Sequence, residues 1–176
     1  MDARSLRPTT TEETDSEHDL FGEIRRDLHE VQALLEQLSA IPGAVKGGSA
    51  EQRQARGSTV ELIRLALAEH RALGMQYLWP TVRSTLPGGD RLAEMAVESN
   101  KKIKALLTDL DRRSPDDAEF DELVEQLILA CRMHVVFKDQ VLLQLSDEMS
   151  DEERRRVARR LPRRCRAIST PDVGGR

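Results

Sequence analysis

Apolar residues in this chain recur at steps of three and four, and no segment alternates with period two. That spacing is the face of an α-helix and not of a strand, and it restricts the chain to helical architectures. Four such stripes can be read. The first holds Leu20, Ile24, Leu28, Val31, Leu35 and Leu38. The second holds Val60, Ile63, Leu67, His70, Gly74 and Tyr77. The third holds Leu92, Ala96, Asn100, Ile103, Leu107 and Leu110, and the fourth Phe120, Val124, Leu127, Cys131, His134, Lys138, Val141 and Leu145. Helices with one apolar face and mostly short connections bury those faces against each other. The sequence therefore predicts an all-α chain, an antiparallel up-down-up-down four-helix bundle.

Local signals set the expected boundaries. Ser16 with Asp19 starts the first helix, and "IPGAVKGGSAEQRQARG" reads as a long flexible loop after it. Ser58 with Glu61 reads as a capping box for the second helix. Pro80 is expected to kink or end that helix, with an extension to Leu86. "PGGD" is a short turn whose Asp90 is placed to cap the third helix, and Ser114 with Pro115 suits the start of the fourth. Ser150 with Glu153 opens a short Arg-rich fifth helix ending near Pro162. The division expected is a disordered segment 1–15, a bundle 16–149 and an Arg-rich helix and tail 150–176.

The chain has 176 residues, enough for one domain with one core. Charged residues make up 33% against 3% aromatics, the profile of solvated amphipathic helices, and the net charge of −4 sets up no field that would draw nucleic acid. Cys131 and Cys165 form neither a disulfide framework nor a zinc spacing. No apolar stretch reaches membrane-spanning length and the start lacks an apolar leader core, so a cytoplasmic protein without membrane contact is expected.

Polar residues interrupt the inward stripes: His70 and Gly74 on the second helix, Asn100 on the third, and Cys131, His134 and Lys138 on the fourth. A polar group in a greasy core costs free energy unless it is partnered, so such a concentration calls for a reason. Asn100 is expected at the level of the two histidines. Lys138 is expected to run its stem to the surface, and Cys131 to be a small core residue. His18 and His29 are expected on the solvent side.

The segments "VQALLEQL", "YLWPTVRSTLPGGD", "ESNKKIKALLTDL" and "DDAEFDELVEQL" resemble the bacterial hemerythrin-like family, the cation-binding HHE domain, over roughly residues 16 to 160. The resemblance implies a four-helix bundle around a carboxylate-bridged di-iron centre. Family members bind dioxygen, sense oxygen or nitric oxide, or handle iron and peroxide. The ligand set it implies is a histidine in the first helix, H-x-x-x-E in the second, a histidine in the third and H-x-x-x-E in the fourth. Carried over residue by residue, those positions hold Leu28, His70 and Gly74, Asn100, His134 and Lys138. Only His70 and His134 remain as metal ligands, and both bridging carboxylates are replaced. Lys138, if charged, would repel a dication at about 5 Å by several kcal/mol even at an effective dielectric near 20.

Three functional readings follow. The first is a hemerythrin-like protein that has lost the di-iron site and works as a small-ligand-binding or regulatory module, with His70, His134, Gly74, Asn100 and Lys138 around a polar pocket. The second is a redox or gas-binding protein with haem held between His70 and His134, Gly74 and Ala66 leaving room and Arg71 or Lys138 meeting propionates. The third is an iron and oxygen binder in a different helix register. No nucleophile–base pair points to an enzyme. The arginine run "EERRRVARRLPRRCR" reads first as a solvated terminal helix and second as a contact for an acidic protein or nucleic acid, with no aromatics interleaved for base stacking.

Overall fold

The computed structural model describes residues 20–160. Residues 1–19 and 161–176, and with them Ser16, His18, Asp19, Pro162 and Cys165, lie outside the described residues. Among the described residues there is no strand. The helices are α1 (Leu20–Ala40), α2 (Ala50–Leu73), α3 (Trp79–Thr85), α4 (Gly89–Leu110), α5 (Ala118–Glu148) and α6 (Asp151–Ala158), with a π-helical turn Gly74–Leu78 joining α2 to α3. None is long and apolar enough to cross a membrane. The third and fourth expected helices are thus α4 and α5.

All six apolar residues of the first stripe are buried on α1, and all eight residues of the fourth are buried on α5, polar members included. α1 packs on α2 and α5, and α4 packs on α5 and α3. The third stripe is rotated from its expected setting: Ala93, Ala96, Ile103, Leu106, Leu107 and Leu110 are buried, whereas Leu92 and Asn100 are only half-buried.

Four boundaries differ from the sequence reading. The loop after α1 is short, because residues 50–57 are helical. Ser49, not Ser58, caps α2, its hydroxyl accepting from the Gln52 N–H while the Gln52 side chain accepts from the Ser49 N–H. Ala, Glu, Gln and Arg are strong helix formers, and the glycines at 47 and 48 end the loop sooner than the more distant Gly57 suggested. Pro80 does not break the second helix. The wide turn lets the Trp79 N–H reach the Gly74 carbonyl and places Pro80 in the first turn of α3, where its missing N–H costs little. Finally, α4 is capped by Gly88 at φ +73°, with Asp90 in the first turn, and α5 by Asp117 rather than Ser114. The Ser150–Glu153 box opens α6 as expected, and the Arg154 guanidinium lies 5.6 Å over the Phe21 ring, docking α6 on α1.

The loop between α1 and α2 is fastened by a buried ion pair. Arg56 is 3% exposed; its Nη1 donates to the carbonyls of Leu38 (3.1 Å) and Ile41 (2.7 Å), and its Nε lies 3.1 Å from Asp121 Oδ1. The other oxygen of Asp121 accepts from the Val45 N–H at 2.9 Å. Gly43 lies against that carboxylate, where a Cβ would come within 1.9 Å of Oδ1. Removing one member of a buried pair leaves the other charge uncompensated, so Asp121→Ala is expected to cost about 3 kcal/mol in urea unfolding. Gly43→Ala displaces the same carboxylate, so the double variant is expected to be much less destabilised than the sum of the single ones.

Candidate functional site

Five elements converge on one buried polar cluster. α1 contributes Asp27, the last turn of α2 contributes His70, α3 contributes Trp79, α4 contributes Ser99, and α5 contributes His134 and Lys138. Lys138 is 0% exposed, His70 1% and His134 2%. The Lys138 Nζ lies 2.6 Å from His70 Nε2. On the other side of the ring, His70 Nδ1 lies 3.7 Å from Asp27 Oδ2. An ammonium has only protons to give, so it donates to Nε2, and the imidazole then carries its own proton on Nδ1, facing the carboxylate. The arrangement is a carboxylate–imidazole–amine row.

The two histidines meet edge to face, with centroids 6.1 Å apart and planes at 85°. His134 Nδ1 is 2.9 Å from Ser99 Oγ, and its Nε2 is buried without a hydrogen bond among the described residues. Burial, then the charges of Lys138 and His70, push His134 down to about 3, so it is neutral near pH 7. Burial pulls Lys138 down to about 7, against the upward pull of Asp27. Cys131 is buried nearby, and burial pushes its thiol up to about 12.

Lys138 therefore does not run to the surface as its stem length suggested. Gly74 supplies the physical reason. A Cβ there would lie 3.3 Å from Lys138 Nζ and 3.3 Å from Trp79 Nε1. The missing side chain lets the amine and the indole come close to the backbone at this turn, with the Trp79 ring centroid 5.5 Å from Nζ. Glycine in a helix gives up about 1 kcal/mol relative to alanine, and at this position the close approach of the amine and the indole accounts for it.

His70, Gly74, His134 and Lys138 thus come together, and two expected members do not join them. Asn100 is half-buried and lines a shallow groove of about 340 Å³ with Arg71, Met75, Val97, Lys101 and Lys104. Its neighbour Ser99 takes the place beside His134. Leu28 is buried among apolar residues, and the adjacent Asp27 supplies the polar contact to His70. Asp27 was legible in principle, being three residues after Ile24 and four before Val31 on the same stripe. His29 and Asp139 are exposed.

This donor set does not fit a di-iron centre. Among the described residues no group of three or more His, Cys, Asp or Glu side chains is placed to hold a metal ion, and the Nε2 lone pair of His70 faces an amine. It does not fit a haem either. Lys138 stands at the coordinating atom of His70, and Lys138 points inward where it cannot meet a propionate. No protein-family model, curated protein or solved structure matches this chain.

The proton balance of Lys138 gives a measurable slope. In the unfolded chain the amine keeps its proton up to about 10.5, in the folded chain only to about 7. Between these values the unfolded state binds more protons, so stability rises with pH. Cys131 opposes this above its unfolded value of 9.0, since the folded thiol holds its proton to about 12. Urea unfolding of the wild type relative to Lys138→Met is therefore expected to gain stability steadily from pH 7 to 9. A flat difference over that range would mean that Lys138 is not the buried amine described.

Proposed function

We propose that this protein is a hemerythrin-like antiparallel four-helix bundle whose metal centre has been replaced by a buried amine, and that it works as a regulatory or interaction module. In this reading α1, α2 with α3, α4 and α5 are the four helices, α6 is the short fifth, and Lys138 stands at a lost bridging-glutamate position. The observation that carries it is the 2.6 Å contact of Lys138 Nζ with His70 Nε2. The amine takes up the imidazole lone pair that iron would otherwise require, while the carboxylate of Asp27 lies behind the ring at Nδ1. In its protonated form the amine also repels a dication placed beside it.

The burial of the cluster supports a role outside metal catalysis. His70, His134 and Lys138 are all nearly inaccessible in the folded state. Partners would then be met at the protein surface, with a cytoplasmic setting consistent with the reduced Cys131.

Metal content and absorption of the protein purified from iron- and haem-supplemented cells test the reading. Iron well below one per chain, no oxo-bridge absorption and no Soret band are expected. Two irons per chain or a stoichiometric Soret band would overturn it. The paired substitution Gly74→Glu and Lys138→Glu is expected to raise iron uptake above the wild type while leaving it substoichiometric, because Leu28 and Asn100 still supply no imidazole. Tight binding of two irons by that variant would show the assignment of those two positions to be wrong.

A further inference from the structure

α5 is apolar on two faces. Its inward face carries the core and the buried cluster. On its outward face Leu129, Met133, Val136 and Leu143 are between 57% and 63% exposed. They follow one another at spacings of four, three and seven, and Gln140 fills the gap between Val136 and Leu143. A seam of alternating four- and three-residue steps is the period of a helix that packs along a second helix. It runs for ~21 Å at 1.5 Å per residue. The remaining exposed large apolar residues, Val45, Leu62, Leu65, Met75 and Met95, form no comparable line. Isolated ones are ordinary on a surface, whereas a contiguous row marks an interaction face.

The charges beside the seam identify the occupant. Arg132 and Asp139, both exposed, are seven residues apart and therefore lie on the same flank. In an antiparallel pair related by a twofold axis, each flank faces the same flank of the other helix. With the axis beside Val136, Arg132 comes level with the partner's Asp139, and Asp139 with the partner's Arg132. The same setting brings Leu129 to the level of the partner's Leu143 and sets the two Val136 side chains close together. A parallel pair would instead oppose this flank to Ala130, Phe137 and Gln144 and leave both charges unmatched.

We propose that the outward face of α5 is a self-recognition surface, on which a second copy of this chain packs its own α5 antiparallel with reciprocal Arg132–Asp139 ion pairs. The contact spans about two heptads. Beyond them Glu125 approaches Asp147 of the partner subunit, a like-charge contact moderated by Lys46 and Arg56, which lie 3.7 and 3.8 Å from Glu125. A single helix pair is a small interface, so the dimer is of the reversible, concentration-dependent kind. This inference is independent of the metal-free reading, because it uses only the surface of α5.

Sedimentation velocity of the full chain across a concentration series tests it. A monomer–dimer equilibrium is expected, abolished by Val136→Glu and equally by Leu129→Lys, with helical circular dichroism unchanged because both sites are exposed. Arg132→Asp and Asp139→Arg are each expected to weaken dimerisation about tenfold by opposing like charges. Their combination is expected to restore it, which only a self-complementary partner allows. A monomer at every concentration, a dimer indifferent to Val136→Glu, or a charge-swapped double variant that stays as weak as the single ones would overturn the proposal.

Discussion

The interior of this protein is organised around an amine held against an imidazole. Burying an ammonium in a hydrophobic core is costly, and the cost is reduced in three ways: the Lys138 proton is directed at His70 Nε2, Asp27 sits behind the ring, and the Trp79 face lies nearby. Each partner comes from a different element, so the amine is accommodated only when α1, α2, α3 and α5 are together. Gly74 belongs to the same constraint. It makes room for the amine at the start of the π-helical turn, and that turn in turn lets Pro80 follow without ending the helix.

A second polar contact performs a comparable task elsewhere in the fold. Arg56 ties the end of α1 to α2 and α5 through two carbonyls and Asp121. Apolar packing is non-directional, so aliphatic stripes alone leave helices free to slide or rotate against each other. The two buried polar clusters have required distances and angles, and those pick out one register among the packings that would bury similar apolar area. The rotation of α4 shows the result: Ser99 reaches His134, and Asn100 turns toward the surface groove.

α5 links these observations. Its residues Asp121, His134 and Lys138 enter both polar clusters from one side, while Leu129, Met133, Val136 and Leu143 line the other. A helix that is apolar on opposite faces either is buried all round or meets a partner. The chain covers only one of the two faces with its own described residues.

The hydrophobic period by itself determined that the chain is helical, where most helices lie and which residues of α1 and α5 face inward, because burial of one stripe is a local, repeating requirement. It also marked His70, Gly74, His134 and Lys138 as anomalous, since each interrupts an otherwise apolar face. What the sequence could not decide was which neighbour on a stripe meets the buried histidines. Asp27 and Leu28, like Ser99 and Asn100, are neighbours about 100° apart on their helices, so the rotation of each helix decides which of them reaches an imidazole. Nor could it decide where the Lys138 stem leads, because a long flexible side chain reaches core or solvent from the same Cα. Only the tertiary structure settled both, by placing a glycine, an imidazole and a carboxylate from three other elements around the amine.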